Sequence, residues 1–221
     1  MTLQHVLASA ARLQELVPGA VLVGGTAVAA HARHRLSLDH DHIVADLAVR
    51  FDAILDHLES LGQWTTAKVM PGRIILGELG GIETGVRQLL RERPLEVEQW
   101  DIDDTPLTVP TAPEILRVKA WLALTRNQTR DYLDIAAIGD LIGLTDAART
   151  LADIDAYYSD LNPGPDRVAS QVVRQLSDPQ PRDRIVTREL AQYRKLDARW
   201  HSWDAVRSVC REIALLITEG S

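Results

Sequence analysis

Cysteine is nearly absent: Cys210 is the only one in 221 residues. A single thiol excludes an intramolecular disulfide and any cysteine-rich zinc site. Aromatic residues make up only 5% of the chain, with one Phe, so Leu, Ile, Val and Ala must fill the core. No apolar run approaches the length needed to cross a bilayer. The opening MTLQHVLASAARLQEL lacks the basic start and unbroken apolar stretch of a signal peptide and reads as an amphipathic helix. A reducing cytoplasm is the expected address, with no membrane partner. An excess of positive charge is missing too: the net charge is −7. That argues against a protein that grips long nucleic acid by neutralising phosphates, and leaves room for an acidic pocket that needs divalent cations.

What is present divides into two halves. Residues 20–25 and 42–49 read as strands and 51–61 as a helix. Short strands are expected at 64–70, 73–79 and 82–88, then an alternating one at 95–102. TPLTVPTAP (105–113) is rich in Pro and Thr and reads as a boundary. Helical periodicity follows over 114–126, 129–143, 146–160, 165–176, 183–198 and 203–218. The expected class is α+β: an α/β domain over residues 1–110 with a mixed sheet and flanking helices, then a helical bundle over 111–221.

Two features carry chemistry. Gly24-Gly25-Thr26 stands between a strand and a helix, where glycines allow close backbone approach and a helix start offers N–H groups to phosphate. Thr26 is placed to cap that helix. Ser37-Leu38-Asp39-His40-Asp41 enters the second strand, and strand alternation puts Asp39 and Asp41 on one face. Two adjacent carboxylates repel unless a cation lies between them, and Mg²⁺ favours one or two carboxylates plus substrate phosphates. Read separately, the first also fits a plain tight turn and the second a solvated acidic loop. His31, His34, His40 and His42 crowd the same segment, but a strand would turn His40 and His42 away from the aspartates.

Together, GGTAVAAHARHRLSLDHD resembles the bacterial AbiEii-type nucleotidyltransferases, which include the MenT toxins of mycobacteria and share the DNA polymerase β-like nucleotidyltransferase fold. The residues matching that pattern are Gly24, Gly25, Thr26, Ala27, His34, Arg35, Ser37, Asp39 and Asp41. Leu116, Lys119, Arg130, Asp131 and Asp134 match its second stretch. The resemblance covers roughly residues 20–140. It implies a Mg²⁺-dependent transfer of a nucleotide from a nucleoside triphosphate (NTP) to an acceptor hydroxyl, with tRNA or another RNA as acceptor and a cognate antitoxin as partner.

Under that resemblance Asp39 and Asp41 hold the metal, and Gly24, Gly25, Thr26, Arg35 and Ser37 bind the nucleotide. Lys119 is a mobile cation for the triphosphate, and Asp131 or Asp134 orients it or meets the acceptor, so the helical domain lends Lys and Asp to the cleft. Arg126 and Arg130, four apart, are expected on one helix face. The fold normally supplies a third acid, and here Gly85 stands where it is expected; Glu83, Glu96 and Glu98 are the substitutes. A small-molecule nucleotidyltransferase of the antibiotic-modifying type, and a degenerate nucleotide-binding interaction protein, are the alternatives. Two basic groups, Arg87/Arg91/Arg93 and Arg182/Arg184/Arg188/Arg194/Lys195/Arg199, read as solvated faces or as guides for an RNA end.

Overall fold

A computed structural model describes residues 1–193 and 195–220; Arg194 of the second basic group lies outside the described residues. The chain separates into two compact units, Met1–Ala30 with Leu36–Thr111, and His31–Arg35 with Ala112–Ser221.

The first unit opens with α1 (Leu3–Leu16), whose start is capped by the Thr2 hydroxyl. β1 (Val21–Val23) passes directly into α2 (Gly24–Ala32). β2 (His40–Val44), α3 (Leu47–Glu59), β3 (Trp64–Met70), β4 (Ile74–Leu79) and β5 (Ile82–Gln88) follow. They form one mixed sheet in the order β1-β2-β5-β4-β3, in which β2 and β5 run parallel and the other pairs antiparallel. The only Phe, Phe51, joins Leu13, Val44, Leu58, Trp64, Ile75 and Val86 in the buried core behind this sheet. The strand expected over 42–49 is shorter and starts earlier, because Leu47 already begins α3.

The Pro/Thr-rich stretch read as a boundary does contain the change of unit, between Thr111 and Ala112, but most of it is also a strand. β6 (Val97–Ile102) and β7 (Thr105–Pro110) form a separate hairpin. It closes through Asp103 and Asp104, both at positive φ (52° and 64°), as a tight two-residue turn requires. Proline survives in β7 for a geometric reason. Thr108, between Pro106 and Pro110 in the alternation, donates its N–H to the Gln14 side chain at 2.7 Å, while Thr111 donates to the Glu96 carbonyl across the hairpin. Both prolines thus occupy positions whose missing N–H would have pointed away from β6.

The second unit is helical: α4 (Ala112–Thr125), α5 (Thr129–Ile142), α6 (Leu144–Ala152), the single-turn α7 (Asp155–Tyr158), α8 (Val168–Ser177), the short α9 (Arg184–Arg188) and α10 (Trp203–Glu219). Tyr132, Ile135, Ile138, Leu151, Val172, Cys210 and Ile213 are buried at its centre. The long helix expected over 183–198 is broken into α9 and two short 3₁₀ turns. Asp183, just ahead of α9, caps α5 instead, its carboxylate accepting from the Thr129 N–H and hydroxyl, both at 2.7 Å. Among the described residues no helix is long and apolar enough to cross a membrane.

Candidate active site

Within the first unit, β1 and β2 pair so that Val23 lies opposite Asp41, and Gly24 is the next residue along. Gly24 has φ +72°, and a Cβ there would stand 3.2 Å from Asp41 Oδ2. A side chain at this position would be strained and would also crowd the carboxylate. α2 begins at Gly24 rather than after Thr26, so Thr26 is inside the first turn and not its cap. Its buried hydroxyl donates to the Asp39 carbonyl oxygen instead. The Ser37 hydroxyl donates to Asp39 Oδ1 at 2.8 Å. Both residues therefore hold Asp39 in place. Gly25 follows Gly24 in the same first turn, whose N–H groups lack partners within the helix.

Strand alternation is visible in the burial of β2. His40, His42 and Val44 face the interior, while Asp41 is half-buried on the other side and Asp39, one residue ahead of the strand, is exposed. This divides the histidine cluster as expected. His40 Nε2 lies 3.0 Å from the Ser9 hydroxyl and 3.2 Å from that of Thr84. Burial pulls the His40 imidazole down to about 4, and burial likewise holds His42 well below its ordinary value. Both are neutral interior groups. His31 is half-buried.

Across the sheet, Asp41 pairs in register with Gly85 of β5. A Cβ at Gly85 would come within 2.3 Å of Asp41 Oδ1. The position aligned with the missing third acid is thus in direct contact with the aspartate, and it carries no side chain. Two residues on, Arg87 faces the same side and its Nε donates to Asp41 Oδ1 at 3.2 Å. None of the expected substitutes gathers at the pair. Glu83 is exposed on β5. Glu98 belongs to the separate hairpin, where it accepts from the Trp100 indole, and Glu96, just ahead of that hairpin, lies 3.8 Å from Arg93. Among the described residues no three His, Cys, Asp or Glu side chains converge as a metal-holding group. The pair itself suits a hard cation: two carboxylates that leave coordination positions for phosphate and water, while the neighbouring His40 and His42 imidazoles face the other side of β2.

The other expected site residues assemble inside the helical unit. Asp134 is fully buried on α5 and receives Lys119 Nζ at 2.7 Å, Arg35 Nε at 3.0 Å, an Arg35 terminal nitrogen at 3.2 Å and His34 Nε2 at 2.8 Å. Burial works against its charge, but Arg35, Lys119 and His34 together hold its carboxyl well below the usual range. Burial also lowers His34, in opposition to Asp134. Asp131, one turn earlier, takes a two-pronged contact from Arg126 at 2.6 and 2.7 Å and lies 3.6 Å from Lys119.

The expectations for Lys119, for Arg35 and for the Arg126/Arg130 pair change here. Lys119 is not a mobile surface cation: it is 2% exposed and bridged to both aspartates. Arg35 is committed to Asp134, and its guanidinium lies 5.7 Å from the centre of the Tyr193 ring. Asp131 and Asp134 both hold Lys119, one of the two roles expected of them. Arg126 and Arg130 do not share a helix face, because α4 ends at Thr125; Arg126 turns back to Asp131, while Arg130 is exposed on α5. In the first basic group, buried Arg91 is taken up by its own loop, donating to the Arg93 and Pro94 carbonyls.

Arg87 is the residue that sequence reading underrated. Its signal was its place two residues after Gly85, hence on Asp41's face, but it stood in a run of arginines that looked like an ordinary solvated surface.

No family model matches the chain. In sequence it is 35% identical over 148 residues to the heme uptake protein MmpL11 of Mycobacterium tuberculosis, taking in 64% of this chain and 14% of that one. It is 37% identical over 113 residues to the mycolic acid-containing lipids exporter MmpL11 of Mycolicibacterium smegmatis, 51% of this chain and 11% of that one. The chain thus spans about a seventh or less of these relatives' length. In structure it resembles the antibiotic-resistance factor ANT(2″)-Ia, with a TM-score of 0.50 at 16% identity over 72% of this chain and 92% of that one. An antigenic nucleotidyltransferase-like protein from Paracoccidioides brasiliensis aligns at 0.47 and 16% over 63% and 76%. The fold is a nucleotidyltransferase-like α+β fold, a mixed sheet with flanking helices followed by a helical bundle.

Proposed function

We propose that the chain is a Mg²⁺-dependent nucleotidyltransferase, of the AbiEii/MenT kind that GGTAVAAHARHRLSLDHD resembles. The observation that supports this most is the placing of Asp41 against the Gly24 turn, with Asp39 secured beside it by Ser37 and Thr26. Asp39 and Asp41 would hold the ion, which when bound neutralises triphosphate oxygens and polarises the α-phosphate. Gly24 and Gly25, with no side chains, let phosphate oxygens approach the first-turn N–H groups of α2. In the transfer an acceptor hydroxyl bonds to the α-phosphorus, the bond from that phosphorus to the bridging oxygen breaks, pyrophosphate leaves and the hydroxyl proton passes to solvent. Lys119, Asp131, Asp134 and Arg35 act in this reading as positioning residues that fix the helical unit's charge pattern. The acceptor is an RNA, with the tRNA 3′ end first among candidates, and the setting is a cytoplasmic toxin with a cognate antitoxin.

Mass spectrometry of total tRNA after incubation with each NTP and Mg²⁺ tests this. The expected product is tRNA heavier by one or more nucleotides, absent with Asp41→Asn. Modification of an aminoglycoside and not of RNA would move the assignment to the small-molecule class. NTP binding without transfer to any acceptor would move it to a non-catalytic binding protein.

A further inference from the structure

The acidic pair of the first unit has a glycine where the resemblance implies a third acid, and a guanidinium beside it. Gly85 abuts Asp41 Oδ1 so closely that even a methyl group there would force a shift. Arg87, from the same strand and on the same face, donates to that oxygen at 3.2 Å. Two carboxylates balanced by one guanidinium leave a single negative charge. That suits one divalent ion alongside a triphosphate, and falls short of what two ions a few ångströms apart would need. Both partners of the ion pair are partly solvated, the Asp41 side chain at 32% and the Arg87 side chain at 42% exposure. Such a contact is weak and exchangeable. A planar, permanently charged fork is also well matched to phosphate oxygens.

We propose that Asp39 and Asp41 take one divalent ion at a time, and that Arg87 supplies the site's second positive charge by releasing Asp41 and binding the triphosphate. The inference rests on the nucleotidyl-transfer reading above. Arg87 is the counter-ion of Asp41 before nucleotide arrives and a triphosphate-binding residue afterwards.

The experiment counts Mn²⁺ ions bound per chain by electron paramagnetic resonance, with and without a non-hydrolysable α,β-methylene NTP. The intact chain is compared with Arg87→Gln, Arg87→Lys, Glu83→Gln and Asp41→Asn. One ion per chain is expected in the presence of the analogue. Arg87→Gln should weaken analogue binding by about tenfold or more, as loss of a charged hydrogen bond does, and Arg87→Lys should recover part of it. Without analogue, Arg87→Gln should bind Mn²⁺ a few-fold more tightly, since the competing ion pair is weak. Two ions per chain, or analogue affinity indifferent to Arg87→Gln, would overturn the inference; if Glu83→Gln then reduced two ions to one, Glu83 would be the third acid. Mn²⁺ binding unchanged in Asp41→Asn would instead remove the metal pair itself, and the nucleotidyl-transfer reading with it.

Discussion

Two aspartate pairs are each aligned by their spacing and meet opposite fates. Asp39 and Asp41 are two apart at a strand, and Asp131 and Asp134 are three apart on a helix; either spacing aligns the side chains. The strand pair stays partly solvated with one loose ion pair. The helix pair is wholly buried and saturated by Lys119, Arg35, His34 and Arg126. Burial decides the difference. A carboxylate in contact with water can wait for a ligand, whereas one removed from water must already have its counter-charges.

The comparison is most easily broken at Asp134. Asp134→Asn would leave Lys119 and Arg35 buried beside one fewer negative charge, and the expected loss is about 3–5 kcal/mol of unfolding free energy. Urea unfolding followed by circular dichroism measures it. A loss below about 1 kcal/mol would mean that water reaches the cluster and that its burial is not what organises it.

Acid should act next, and mainly on groups the strand pair does not contain. His34, His40 and His42 are held neutral by burial, so each has a folded-state pKa below its unfolded value near 6.5. A depressed pKa contributes stability that is present above the unfolded value and lost as pH falls toward the folded one. For His40, between 6.5 and about 4, the loss is on the order of 3 kcal/mol. Asp134 behaves with the same sign but lower, its contribution disappearing only as pH drops below about 3.8. Unfolding midpoints in urea across pH 7 to 3 should therefore decline in two stages. Asp134→Asn should lose the lower stage and keep the upper. A flat profile between pH 6.5 and 4 would show the imidazoles to be already protonated or solvated.

Much of this was legible in the chain. Gly-Gly between an apolar run and a helix, then Asp-x-Asp, located the turn and the pair, and alternation divided aspartates from histidines. What escaped was set by tertiary partners. Thr26 looks like a cap by residue type, but the Asp39 carbonyl lies within reach and claims its hydroxyl. Lys119 looks mobile by length, yet two buried aspartates from the next helix fix it. The β7 prolines read as punctuation because the edge from which their N–H would be missing is invisible in sequence. Arg87 could not be told from Arg91 by type; only register separates the one facing Asp41 from the one buried in its loop.

Gly24 tests whether the strand pair depends on its glycine floor. Gly24→Ala places an L-residue at φ +72° and a methyl 3.2 Å from Asp41 Oδ2. The expected cost is about 1–2 kcal/mol in stability, accompanied by weaker Mn²⁺ binding as Asp41 is pushed aside. Thermal unfolding and the ion titration are run on the same preparation. Unchanged metal affinity in a destabilised variant would show that the carboxylate does not need the glycine.

Asp41→Asn carries the smallest stability effect and the sharpest contrast with Asp134→Asn. The substitution keeps the shape of the side chain and removes one charge from a site where water and Arg87 already compensate it. Exposed ion pairs contribute at most about 1 kcal/mol, and relief of repulsion from Asp39 offsets part of that. Unfolding free energy should thus change by less than about 1 kcal/mol in either direction, while Mn²⁺ binding is lost. Two isosteric changes, Asp to Asn at 41 and at 134, then separate a carboxylate kept for a ligand from one kept for the fold. A loss at Asp41 as large as that at Asp134 would mean the strand pair is structural too, its counter-charge built into the chain rather than awaited.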